Sequence, residues 1–155
     1  MFSKDQAKEL RMLFWHKLES KTRRLPGQKG KAIKWIGDKT GVKGLDLRFD
    51  VDRTKACVAI EVNAPEEDRR IELYQKLEAC KTIIEDLFEE PLIWDFFYEK
   101  PNGQVVARVY VQMAGDIYCE EQWGDMIYFL INRMIRLERA FLEVKDFLVY
   151  RELGQ

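Results

Sequence analysis

The stretch that decides the fold covers residues 45–62 and reads LDLRFDVDRTKACVAIEV. From Leu45 to Val51, apolar and charged side chains alternate, which is typical of a β-strand with one buried face. The run from Lys55 to Val62 follows the same period, and Asp52-Arg53 between the two runs predicts a two-residue turn. The stretch therefore predicts a β-hairpin in which Asp50 lies opposite Lys55.

A second hairpin is predicted over residues 92–113, which read LIWDFFYEKPNGQVVARVYVQM. Asn102-Gly103 is the dipeptide preferred in two-residue primed turns. That turn would pair Phe97 with Arg108 and Glu99 with Val106. The face predicted to point into the core carries Trp94, Phe96 and Tyr98.

Each hairpin is followed by a helical pattern, the first over residues 65–88 and the second over residues 121–150. The N-terminal segment precedes them and predicts an amphipathic helix from about Ser3 to Ser20, which Ser3 can cap. The order α-ββα-ββα predicts an α+β fold, with one four-stranded antiparallel sheet and the helices packed on a single face. We expect one domain over 1–155, divided into the helix 1–20, a basic Gly-containing loop 21–44, and ββα units over 45–88 and 92–150.

The composition narrows the class of protein. The chain has 155 residues, of which 46% are hydrophobic, and this excludes a disordered chain. Its three cysteines are widely spaced without a Cys-x-x-Cys pair, so they predict neither a disulfide framework nor a zinc site. The longest apolar run, Met126 to Ile131, is far shorter than the roughly 20 residues that a bilayer requires. We expect a cytoplasmic protein without a membrane span, metal or cofactor.

Charge is unevenly distributed along the chain. Residues 17–34 contain seven bases and one acid, whereas residues 61–99 contain twelve acids and four bases. Clustered Lys and Arg side chains can contact phosphates, and the candidates for nucleic-acid binding are Arg23, Arg24, Lys29, Lys31 and Lys34. The alternative interpretation, which we favour, is attraction between the basic and acidic parts, within a subunit or across a dimer.

Three acidic residues, Asp46, Asp50 and Glu61, are the candidates for catalysis. Converging carboxylates on neighbouring strands can hold a divalent cation, and restriction-type nucleases add a lysine two residues after the glutamate. Asn63 occupies that position here. The predicted register also leaves Asp46 diagonal to Glu61, so paired or solvated surface charges are the favoured interpretation.

The last helix carries more apolar surface than one buried face needs. Besides its core stripe, its first half presents Met126, Tyr128, Phe129 and Ile135. A helix that is apolar on most sides must be covered on most sides. Either the N-terminal helix and the basic loop cover it, or these four residues form a homodimer interface.

Three segments of the chain resemble parts of a known family: Arg53 to Glu61, Ile84 to Trp94, and the strand from Asn102-Gly103 to Tyr110. The family they resemble is a bacterial one known as domain of unknown function 4268. The start of the chain, from Phe2 to Arg11, is similar to short stand-alone members from Bacteroidetes-type bacteria. The resemblance implies an acidic position at Glu61 and an aromatic one at Trp94, and it supplies no catalytic residues because the family has no established activity. Members fused behind restriction-type nuclease domains imply a role near nucleic acid.

The sequence therefore supports three hypotheses in order of preference. The first is a non-enzymatic binding or assembly module that forms a homodimer. The second is an accessory nucleic-acid-binding domain that uses the basic loop. The third is a metal-dependent or degenerate nuclease centred on the three carboxylates.

Overall fold

The computed structural model of the chain describes residues 2–30, 35 and 40–150. The elements are α1 (Lys4–Thr22), β1 (Leu45–Val51), β2 (Lys55–Val62), α2 (Glu67–Ala79), α3 (Lys81–Phe88), β3 (Ile93–Glu99), β4 (Val105–Ala114) and α4 (Trp123–Val149). A short 3₁₀ turn, Glu120–Gln122, leads into α4. The four strands form one antiparallel sheet in the order β1-β2-β4-β3, which confirms the predicted α+β class.

Helix α1 begins where its capping residues predict. The Ser3 hydroxyl accepts a hydrogen bond from the Gln6 backbone N–H at 3.2 Å, and the Gln6 side chain accepts one from the Ser3 N–H at 2.9 Å. This capping box satisfies two backbone groups that would otherwise lack partners, and Asp5 in the first turn faces the positive end of the helix dipole. The predicted cap at Ser3 is confirmed.

The core lies between the helices and the inner face of the sheet. The central strands β2 and β4 contribute the buried side chains Ala56, Val58, Ile60, Val62, Ala107 and Val109. Helices α2 and α4 pack on these strands. Among the described residues, no helix combines the length and apolar character needed to cross a bilayer.

The turn of the first hairpin lies one residue later than predicted. The Asp52 N–H donates to the Lys55 carbonyl at 3.0 Å, so the two loop residues are Arg53 and Thr54. The Asp52 carboxylate accepts hydrogen bonds from the Thr54 N–H at 2.8 Å and the Lys55 N–H at 3.0 Å, and these bonds hold Asp52 at the start of the turn. The predicted pairing of Asp50 with Lys55 is therefore wrong, because Asp50 pairs with Cys57.

The second hairpin also differs from its prediction. Lys100 and Gln104 pair across a three-residue loop, in which Gly103 has φ +86°. Pro101 suits the first central position of a type I turn, and glycine accepts the left-handed conformation that follows such a turn. The two-residue turn at Asn102-Gly103 is thus wrong, and Glu99 pairs with Val105 rather than Val106.

A bulge between Asp95 and Tyr98 changes which side chains of β3 face the core. Beyond the bulge, Asp95 pairs with Arg108, where Phe97 was expected. Because the bulge adds a residue on one strand, Tyr98 moves to the outer face of the sheet while Trp94 stays on the inner one. The predicted core face of Trp94, Phe96 and Tyr98 is wrong for Tyr98.

The helical pattern over residues 65–88 forms two helices instead of one. Cys80 leaves the helical region at φ −101° and ψ 11°, and its N–H bonds to the Leu77 carbonyl at 3.0 Å. Ile84 and Phe88 on α3 are buried, as is Leu77 on α2, so both helices pack on the core.

The segment between α1 and β1 is attached to the body of the protein at Trp35. The buried Trp35 indole donates to the Glu138 carboxylate at 3.0 Å, and its ring lies 5.8 Å from Phe49. Nearer β1, Gly44 has φ +89°, and a Cβ atom there would lie 2.8 Å from the Ala64 Cβ. Glycine is therefore required at position 44 by both its conformation and its close approach to Ala64.

Candidate functional site

The outer face of the sheet carries a buried ion pair between its two central strands. Glu61 on β2 lies directly opposite Arg108 on β4. The Arg108 guanidinium donates to Glu61 Oε1 from Nη2 at 2.8 Å and from Nε at 3.1 Å, and Nη1 donates to Asp50 Oδ2 at 3.0 Å. Glu61 and Arg108 are 0% and 1% exposed. Cys57 and Ala59 beside them are small, so longer side chains can fold over the centre of this face.

Further polar groups surround Glu61. Its Oε2 accepts from Asn63 Nδ2 at 2.9 Å and from Arg48 Nη1 at 3.4 Å, and Lys100 Nζ lies 3.5 Å from Oε1. Burial by itself would raise the pKa of this carboxyl. Hydrogen bonds from Asn63 and Arg108, together with the charges of Arg48 and Arg108, outweigh burial and hold the pKa of Glu61 below its usual value.

Asn63 also connects Glu61 to the first strand. Its side-chain amide donates to Asp46 Oδ2 at 2.8 Å, and Asp46 lies directly opposite Glu61 instead of diagonal to it. The corrected turn of the first hairpin produces this closer approach. Asn63, which stands where a nuclease would place a lysine, therefore bridges two carboxylates.

Arg108 stacks on Tyr98 and not on Phe97. The guanidinium carbon lies 4.2 Å from the centre of the Tyr98 ring, and the Tyr98 hydroxyl accepts a hydrogen bond from Lys55 Nζ at 3.0 Å. Burial would lower the pKa of Lys55, but this bond and nearby negative charge raise it instead. Phe97 is 76% exposed. Because Arg108 is covered and its three described hydrogen bonds all go to carboxylates, it offers no open surface for a phosphate.

The three candidate catalytic residues therefore share one face without forming an open site. Asp46, Asp50 and Glu61 each bind a cation or an amide of the same cluster. Within residues 2–30, 35 and 40–150, no group of three or more His, Cys, Asp or Glu side chains could hold a metal ion. Burial also raises the pKa of the adjacent Cys57 thiol to about 12, so it remains protonated at neutral pH. The geometry favours a stabilising role for this cluster.

The three candidate nucleic-acid residues that the structure describes, Arg23, Arg24 and Lys29, lie at the surface. Arg24 and Lys29 are exposed, and Arg23 forms a 2.9 Å ion pair with Glu19 one helical turn earlier. Lys31 and Lys34 lie outside the described residues. Arg23, Arg24 and Lys29 thus lie just after α1, in the first part of the loop.

The extra apolar surface of α4 is covered within the chain at two of its four predicted interface positions. Met126 and Phe129 are 0% and 8% exposed. Helix α1 covers part of α4, where the Phe14 ring meets Trp123 at 5.5 Å. Tyr128 remains 69% exposed and Ile135 is partly exposed. Of the four predicted interface residues, Tyr128 and Ile135 thus keep surface that a partner could contact, whereas Met126 and Phe129 are buried within the chain.

An open groove of about 670 Å³ lies between α1 and the first half of α4. Its apolar lining comes mainly from Ile127, Ile131 and Ile135, which are spaced one helical turn apart. Lys17 and Lys21 from α1 contribute positive charge to the same groove, and Lys17 Nζ lies 5.5 Å from the Trp123 ring. Ile127 is also part of the buried core, and Ile131 packs against that core while remaining partly exposed.

The second half of α4 continues this exposed surface. Leu142 and Val149 are 58% and 45% exposed. They follow Ile135 at intervals of seven residues, which returns a helix to nearly the same side. We call the set formed by Tyr128, Ile131, Ile135, Leu142 and Val149 the α4 stripe. Leu142 and Val149 were not among the predicted interface residues, although their seven-residue spacing from Ile135 is present in the sequence.

A family model described as Domain of unknown function (DUF4268) matches residues 10–145. No curated protein and no solved structure matches the chain.

Proposed function

The chain belongs to the DUF4268 family of unknown function, and we propose that it is a non-enzymatic binding and assembly module that acts as a homodimer. We further propose that it works in the bacterial cytoplasm. The observation that carries the proposal is the α4 stripe, an apolar surface along one side of a 27-residue helix on which Tyr128, Leu142 and Val149 are exposed and Ile131 and Ile135 partly exposed. Contiguous exposed apolar surface of this kind is typical of protein interfaces.

The outer sheet face supports a module without catalysis. Both carboxylate oxygens of Glu61 are occupied by donors from the same chain. Arg108 is equally occupied, and Cys57 holds its proton at neutral pH. A hydrolytic site needs a group that is free to bind a metal, a water or a substrate. The ion pairs and hydrogen bonds of this face are therefore better explained as interactions that stabilise the sheet.

The first test is the solution mass by light scattering over a range of salt concentrations. We expect twice the 18.5 kDa of one chain, maintained at high salt because apolar burial is insensitive to screening. Leu142→Asp should give a monomer, since it places a charge in the interface. Ile83→Asp on α3 is the matched control, because Ile83 is 49% exposed but does not lie on α4; this variant should remain a dimer.

The same experiment includes a short mixed-sequence DNA duplex to test the alternative function. We expect no change of mass on adding the duplex. A monomer that binds the duplex at low salt and releases it at high salt would contradict the proposal. It would assign function to the exposed bases Arg24 and Lys29 instead.

A further inference from the structure

We infer that two copies pair through the C-terminal half of α4, antiparallel, about a two-fold axis that passes beside Leu142. This inference rests on the proposed homodimer and specifies how it forms. The occupant of the exposed surface is thus a second copy of the chain.

Apolar side chains recur at a regular spacing along the second half of α4. Ile135, Leu142 and Val149 lie seven residues apart, so they drift only about 20° per step around the helix and form one straight seam. In an antiparallel pair centred on Leu142, a residue n positions before Leu142 faces the partner's residue n positions after it. Leu142 then contacts its own copy. Ile135 of each subunit contacts the partner's Val149, so this contact occurs twice in the dimer.

Opposite charges beside this seam favour an antiparallel pair. Arg139 and Asp146 each follow a seam residue by four positions, so both lie on the same flank of the seam. A two-fold axis that reverses two facing helices keeps matching flanks on the same side of the contact. Arg139 therefore comes close to the partner's Asp146, and the symmetric pair repeats this contact. A parallel pair would not bring these opposite charges to the same level along the helices.

The seam is accessible to a second copy at Leu142 and Val149. Leu142 is 58% and Val149 is 45% exposed, and both Arg139 and Asp146 are exposed. The other flank is bounded by the body of the subunit. There Glu138 accepts the hydrogen bond from Trp35, and Lys145 lies close to Gly41. A partner helix thus has one defined line of approach, directly over Leu142.

Charge reversal tests the pairing, with dimer dissociation measured by sedimentation at low salt. Arg139→Asp should weaken the dimer on the order of tenfold, because two symmetric attractions become repulsions of modest size each. Asp146→Arg should do the same. Combining the two changes should restore dissociation to within about threefold of the original, because the opposite charges then face each other again.

Cross-linking supplies an independent readout. In a Cys119→Ser background, Leu142→Cys should form a disulfide-linked dimer on mild oxidation, because the two copies of position 142 face each other. Ile83→Cys should not. A dimer that forms with neither this cross-link nor the charge rescue would overturn the pairing and leave the homodimer intact. A protein that is monomeric at all concentrations would overturn both.

Discussion

Changing Glu61 to glutamine should be among the most destabilising isosteric substitutions in this protein. The side chain is fully buried and accepts two hydrogen bonds from Arg108 and one from Asn63. Glutamine removes the charge and turns one acceptor into a donor that faces other donors. Arg108 would retain Asp50 as its carboxylate partner, and that side chain is 30% exposed. Breaking a buried pair in this way costs about 3–5 kcal/mol, a large part of the roughly 5–15 kcal/mol that stabilises a domain.

Urea unfolding followed by tryptophan fluorescence measures this cost, at a fixed protein concentration because a dimer adds to stability. With a slope of about 2 kcal/mol per molar urea, the midpoint should fall by roughly 1.5–2.5 M. Asp95→Asn on the same face is the matched control, because its carboxylate accepts a hydrogen bond from the Phe97 N–H of its own strand. It should cost less than about 1 kcal/mol.

The double variant Glu61→Leu with Arg108→Met checks the physical reason. It removes both charges together and leaves neither one buried without its partner, so it should cost less than Glu61→Gln alone. The reasoning is refuted if Glu61→Gln costs under 1 kcal/mol. It is equally refuted if the double variant lowers the free energy of unfolding by as much as Glu61→Leu and Arg108→Met do separately when their losses are added.

Three further outcomes are expected. In the folded protein the pKa of Glu61 lies below the ordinary 4.5, so in acid the unfolded chain binds more protons than the folded one. The free energy of unfolding should therefore decline as the pH falls below about 4.5. When the urea midpoint is measured at a series of acidic pH values, Glu61→Gln should make this decline shallower. At neutral pH a thiol reagent should modify the partly exposed Cys119 quickly, but Cys57 only when the protein unfolds. The reason is that Cys57 is buried, which raises its pKa to about 12. Rapid labelling of Cys57 in the folded protein would contradict its burial. In thermal unfolding, Gly44→Ala should lower the free energy of unfolding more than Gly103→Ala does. Both positions have a positive φ, which costs alanine about 1–2 kcal/mol, but only alanine at position 44 would also be forced to within 2.8 Å of Ala64. Equal losses for the two variants would argue against that contact.

The alternating pattern of the two hairpins was enough to predict the sheet, and Ser3 was enough to predict the start of α1. These features depend on neighbours in the sequence. Period-two alternation assigns each side chain to a face, and a capping box forms within one turn of a helix. The same patterns correctly placed Glu61 and Arg108 on the outer face.

The register could not be predicted from that pattern. Moving the first hairpin by two residues leaves every side chain on its original face, so hydrophobicity does not distinguish the two pairings. The Asp52 carboxylate decides between them by closing the turn. In the second hairpin the three-residue loop and the bulge before Tyr98 decide the pairing, and they bring Tyr98 over Arg108.

The sequence by itself therefore determined the elements, their order and the two faces of the sheet, because these follow from local periodicity. Tertiary structure alone decided that Glu61 and Arg108 are buried on a face expected to be solvated, since burial there depends on side chains from all four strands and the loop at Lys100. It also decided that Met126 is covered while Leu142 is left open. Which side of an apolar helix is covered depends on where distant segments such as α1 pack, and no pattern within the helix contains that information.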